Sequence, residues 1–141
     1  MKRITVIALL AVAGIISTGK ALAQSDEVRV AVPFDFAVGN KVLPAGTYLI
    51  TSPSDWVIEI QNQNTRDAML ALVAGDNDQS AKNVLVFDKH SNHYFLREIL
   101  CDSAKMNVSL PRATIEKIAR QEEAKNPTGG GDGDQVTLAL K

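Results

Sequence analysis

From Val28 to Phe36 apolar and polar side chains alternate. Val28, Val30, Val32, Phe34 and Phe36 fall on one side of an extended chain, and Arg29, Ala31, Pro33 and Asp35 on the other. A period of two predicts a strand with one buried and one wetted face. Pro33 cannot donate to a ladder, which puts that part of the strand at an edge or a bulge. Gly39-Asn40 then predicts a turn, Lys41 to Leu43 a short strand, and Pro44-Ala45-Gly46 a second turn. Pro presets φ for the second turn position and Gly accepts a positive φ beyond it. Thr47 to Thr51 predicts the next strand.

Ser52 to Asp55 predicts another turn, and alternation resumes from Trp56 to Gln61, with Trp56, Ile58 and Ile60 on one face. Asn62 to Asp67 is polar and turns the chain. Ala68 to Ala74 is apolar throughout, the pattern of a strand covered on both faces or of a helix start, and its length favours the strand. Gly75 to Asn83 reads as a polar loop. Val84 to Lys89 and His93 to Leu100 predict a hairpin. With His90, Ser91 and Asn92 as its loop, Phe87 faces Phe95 and Val86 faces Leu96, apolar pairs that contribute about 0.2–1 kcal/mol each.

Helical spacing occurs once, from about Pro111 to Lys125. Ser109 is a candidate cap, Ile115, Ile118 and Ala119 form a thin apolar stripe, and Glu116 to Arg120 is an i,i+4 pair. Asn126 to Gln135 (NPTGGGDGDQ) has the composition of a flexible tether. Beyond it Val136, Leu138 and Leu140 alternate with Thr137 and Ala139, so one more strand is expected. About seven strands and one helix define a mainly β chain, a small antiparallel β-sandwich or partly open β-barrel with a peripheral α-helix.

Ahead of the strands stand Lys2 and Arg3, the apolar run Ile4 to Ile16, and the small-x-small site Ala21-Leu22-Ala23. This is the form of a secretory signal peptide. The run falls short of the roughly 18 apolar residues of a membrane anchor. Cleavage after Ala23 leaves 118 of the 141 residues, starting at Gln24. The expected plan is a signal peptide over 1–23, a β-rich domain over 24–125 with its helix near 111–125, a tether over 126–135 and a terminal strand over 136–141. The expected location is the periplasm or the cell exterior, with no membrane span after cleavage.

The signal holds three of the fifteen basic residues and none of the sixteen acidic ones, so the remainder has twelve against sixteen, a net charge of −4. A mildly acidic chain without a basic cluster argues against a nucleic-acid partner. Cys101 is the single cysteine, so disulfides within the chain are excluded and stability must come from packing. At the end of a predicted strand, Cys101 reads as a small core residue.

The segments VPFDFAVGNKVLPAGTY (Val32 to Tyr48), VLVFDKHSNHYFLREI (Val84 to Ile99) and SLPRATIEKIA (Ser109 to Ala119) resemble a family of small exported bacterial proteins of unknown function. The resemblance implies export and one mostly β domain, and no activity, ligand or catalytic residue.

Candidate chemistry is sparse. His90 and His93 give H-x-x-H beside Asp88, but zinc needs three or four ligands held in place, so the pair reads as solvated loop histidines. Asp76-Asn77-Asp78 and Asp132-Gly133-Asp134 lack the twelve-residue calcium-loop pattern and its closing Glu. Glu59, Asp88 and Glu98 occupy alternating polar strand positions, where outward solvated charges are expected. The chain has no G-x-S-x-G elbow, the part from Gln24 onward has no S-x-x-K, and the glycine run from Gly129 precedes a strand and lacks the P-loop lysine. No metal or cofactor is expected. Trp56, Tyr48 and Tyr94 are the candidate ligand contacts, as an aromatic platform, against the alternative that they serve the core. The leading expectation is a non-enzymatic binding or envelope-assembly protein, with a protein partner or a homo-oligomer engaged through the terminal strand Val136 to Leu140. The alternatives are a small apolar-ligand carrier with a barrel cavity and a hydrolase of unfamiliar type.

Overall fold

The computed structural model describes residues 27–75, 82–125 and 134–140. In chain order these form β1 (Glu27–Val32), β2 (Phe36–Val38), β3 (Lys41–Leu43), β4 (Gly46–Ser54), β5 (Val57–Asn62), β6 (Ala68–Leu72), β7 (Ala74–Gly75), β8 (Asn83–His90), β9 (His93–Cys101), β10 (Met106–Ser109), α1 (Thr114–Lys125) and β11 (Asp134–Ala139). One sheet has the order β1-β4-β5-β6. The other runs β11-β8-β9-β10-β7, and the β2–β3 hairpin joins it through a parallel pairing of β2 with β9. One of the two sheets forms a half-barrel. The fold is mainly β with one helix, as the alternation implies. Among the described residues no helix is long and apolar enough to cross a membrane.

The count of about seven strands is corrected to eleven among the described residues. The additions are pieces of two to four residues, β2, β7 and β10, too short to establish a period, whereas the short strand expected at Lys41 to Leu43 is present as β3. Alternation from Val28 to Phe36 does predict the buried face, since Val28, Val30, Val32 and Phe36 are all buried. It is not one strand, however. The ladder stops before Pro33 and the chain crosses from the first sheet to the second.

The crossover is held by two devices. Asp35 Oδ1 accepts a hydrogen bond from the Ala45 backbone N–H (2.8 Å), tying it to the turn before β4. Phe34 stacks on Tyr94 with centroids 3.9 Å apart and meets Phe87 edge-on, while Phe36 meets Phe87 and Tyr48 edge-on. Between the sheets Tyr48, Ile50, Ile58, Ile60, Leu85, Phe87 and Ile99 are fully buried. Each such apolar side chain contributes about 1.5–3 kcal/mol.

Three further expectations change. The β8–β9 loop has two residues, Ser91 and Asn92, with His90 opposite His93 and Ser91 at φ 54°. Asp88 therefore faces Phe95 and Phe87 faces Leu96, and a β-bulge between Phe87 and Val86 then moves the register one residue further, so that Val86 pairs with Glu98. Segment Ala68–Leu72 is a strand, but an edge strand with one face open: Leu70 is 65% and Leu72 72% exposed. The helix begins at Thr114, and its cap is not Ser109, which lies in β10. Asn40 Oδ1, from the β2–β3 turn, accepts from the Thr114 (3.1 Å) and Ile115 (3.4 Å) N–H groups.

The terminal strand, β11, pairs antiparallel with β8 of the same chain from Asp134↔Lys89 to Ala139↔Val84. Leu140 N–H extends the pairing to Asn83 O (2.8 Å). Val136, Leu138 and Leu140 pack against the core. Residues 126–133 of the expected tether lie outside the described residues.

Candidate functional site

Asp88 and His90 sit two residues apart on β8, on the face turned away from Leu85 and Phe87. The bulge adds Arg97 of β9 to their neighbourhood, as the extra residue between Leu96 and Glu98. Over them lies α1, whose Glu116 and Glu123 are two turns apart on one helix face. The stripe that meets the sheet is thus acidic, and Ile118, expected to help cover it, is 49% exposed.

Arg97 is the hub. Its Nε donates to Asp88 Oδ2 (2.9 Å), its Nη2 to Glu116 Oε1, and its Nη1 to the Leu110 carbonyl (2.8 Å). Leu110 N–H in turn donates to Arg97 O (2.7 Å). Burial works to lower the Arg97 pKa, but hydrogen bonds to Asp88 and Glu116 and their charges outweigh it, so the guanidinium is held more firmly protonated than usual. Glu116 also faces Arg112 (3.7 Å), a partner in place of the expected Arg120.

His90 is 5% exposed, which corrects its reading as a solvated loop residue; Glu116 is 2% exposed, and Asp88, read as an outward solvated charge, is buried too. His90 Nδ1 lies 3.2 Å from Glu123 Oε2, and Nε2 lies 3.7 Å from Glu116 Oε1. Neutral imidazole has one N–H and can serve one of these carboxylates, whereas imidazolium serves both.

Asp88, His90 and Glu116 place one donor atom each within 4.8 Å of one another, a donor set that divalent ions use. Arg97 already donates to both carboxylates, so a permanent cation stands where an ion's charge would be needed. The charges of the cluster are satisfied by one another. The arrangement fastens α1 to the sheet.

The other candidates are scattered. Tyr48 is in the core and its hydroxyl donates to Pro44 O (2.5 Å). Tyr94 is half-buried against Phe34, with Lys89 Nζ 5.8 Å from its ring centroid. Trp56 lies in the β4–β5 turn and not in the following strand, and is 67% exposed. No ring contact joins any two of these three among the described residues. His93 is exposed, and Glu59 lies on the outer face of the first sheet opposite Leu70. Asp76, Asn77, Asp78, Asp132 and Gly133 lie outside the described residues.

An open apolar groove of about 240 Å³ is lined by Leu72, Val73, Ala74, Ser109, Leu110 and Pro111. It is smaller than the roughly 300–1,000 Å³ of a small-molecule pocket.

Fold and cluster together define a two-sheet β protein whose helix α1, the one helix among the described residues, is pinned by a buried ion network. The chain matches no protein-family model, no curated protein and no solved structure.

Proposed function

We propose that this chain is an exported β-domain protein, periplasmic or extracellular, that works by binding another polypeptide along an open sheet edge and not by catalysis. The observation that carries this reading is β6. It ends its sheet, no described strand pairs with its outer side, and it exposes Leu70 and Leu72 beside the exposed Trp56. An unpaired edge is a template for a further strand, and native proteins usually blunt such edges with charge or proline. The densest group of ionisable side chains is taken up in holding α1. Export rests on the Lys2 to Ala23 pattern, and an intact mass or N-terminal sequence that does not begin at Gln24 would remove it.

The binding reading is tested by placing a photo-crosslinking residue at position 70 or, as a control on the opposite edge strand, at position 29 in the producing cell. Crosslinks to a polypeptide at 70 and not at 29 are expected. Equal crosslinking at both positions, or none at 70, sinks it.

A further inference from the structure

The backbone of β6 is arranged for one kind of strand in particular. Asn62 N–H donates to Asp67 O (2.8 Å) and Val73 N–H to Trp56 O (3.0 Å), at the two ends of the β5–β6 ladder. The intervening register pairs Ile60 with Met69 and Ile58 with Ala71. Asp67, Met69, Ala71 and Val73 therefore turn their backbone groups toward β5, and Ala68, Leu70 and Leu72 turn theirs outward. Three N–H and C=O pairs thus point away from the sheet along AMLAL, a stretch with no charge and no proline. Of the other sheet ends, β7 is only two residues long, β1 exposes Glu27 and Arg29, and β11 begins with Asp134.

We infer, resting on the open-edge reading above, that the occupant is a second copy of this chain: β6 pairs antiparallel with β6 of another molecule about a two-fold axis at Leu70. The sequence of the strand is complementary to its own reverse. Leu72 falls opposite the partner's Ala68 on the outer face and Met69 opposite the partner's Ala71 on the inner face, so bulky side chains meet small ones. Leu70 meets its own copy. Every outward N–H and C=O of the three residues then finds a counterpart, because Leu70 exchanges both bonds with its copy and Ala68 exchanges both with the partner's Leu72.

Charge complementarity favours the same occupant. The charged residues flanking β6, Arg66 and Asp67, fall opposite the partner's Ala74 and Val73, so no like charges are opposed. A strand bearing lysines or carboxylates would find nothing on β6 to pair them with. Two short strands joined edge to edge bury far less than the roughly 1,200–2,000 Å² of a stable complex. The dimer is accordingly weak and concentration-dependent.

The test uses the purified protein in the form the cell produces, by sedimentation equilibrium up to about 1 mM, a range that reaches weak complexes. The weight-average mass is expected to climb toward twice the monomer's. Leu70→Lys and, separately, Leu72→Lys are expected to weaken association at least tenfold, with circular dichroism and melting midpoint unchanged because both side chains are exposed. Register is read by mild oxidation. Directly opposed, hydrogen-bonded residues lie about 5.5 Å apart at Cα, within disulfide reach. A mixture of Ala68→Cys and Leu72→Cys chains should give a crosslinked mixed dimer, and Leu70→Cys alone a homodimer, while the parent with its buried Cys101 gives neither. A parent chain that stays monomeric throughout, or cysteines that crosslink no faster than one placed at Thr47, overturns the inference. Capture of a different polypeptide from position 70 in the cell, with the purified chain monomeric, overturns the second copy alone and leaves the open-edge reading standing.

Discussion

Arg97 of the bulged strand and Glu116 of the helix meet in a nearly dry layer, where Nη2 of the one donates to Oε1 of the other. A guanidinium shared by two buried carboxylates cannot be removed without leaving both uncompensated. Arg97→Ala is expected to lower the unfolding free energy by about 3–5 kcal/mol in urea titration. Glu116→Gln keeps a hydrogen-bonding oxygen for Nη2 and should cost distinctly less. Equal losses would mean that the charge of Glu116 carries the whole effect and the retained hydrogen bond none of it.

Asn40 is separated from α1 by seventy-four residues in sequence, yet it accepts from the helix's first N–H groups. Asn40→Ala should cost about 0.5–2 kcal/mol, the range for a lost cap. Thermal unfolding followed at a helix-sensitive wavelength checks it. Neighbouring Gly39 has φ +59°, so Gly39→Ala forces a side chain into the left-handed region at a cost of about 1–2 kcal/mol.

Tyr48 supplies a pH dependence. Burial raises its phenol pKa; the Asn62 hydrogen bond works against this, and Asp35 and Asp67 add to the rise. The unfolded chain therefore gives up this proton first. Stability from this source is complete below about pH 10 and falls as pH climbs from there toward the folded-state value. Tyr48→Phe should lose about 1 kcal/mol at neutral pH through the vacated Pro44 carbonyl. Its stability should then decline less steeply than the parent's above about pH 10. Parallel decline in urea titrations of the two proteins would refute it.

Deleting residues 126–141 removes Val136, Leu138 and Leu140 from the core margin and bares the edge of β8. At roughly 1–2 kcal/mol for each half-buried side chain, a loss on the order of 3 kcal/mol or more is expected. An unchanged melting midpoint would show that β11 contributes nothing.

Alternation was enough to read the β class, the buried valines of β1 and the β8–β9 hairpin. What it missed depends on partners distant in sequence. Nothing local says that Pro33 hands the chain from one sheet to the other, or that AMLAL faces solvent on one side, because a uniformly apolar run carries no period. His90 looked like a loop residue because its burial comes from a helix more than twenty residues later. The ion network had two faint traces, Asp88 two residues from His90 and Glu116 seven from Glu123. Each trace marks one face of one element, and only the packing of α1 on the second sheet brings those faces together. The bulge that adds Arg97 has no sequence signature of its own.

The pairing of β11 with β8 also sets an order of events during synthesis. The middle of the second sheet, β8 to β10, is a local meander that can zip as it emerges. One flank, β2, has been waiting since residues 36–38, and the other does not exist until residues 134–139 leave the ribosome. Until then Leu85 and Phe87 stand beside a bare ladder, so a nascent chain stalled before residue 134 is a sticky species, and a holding chaperone has most to do there.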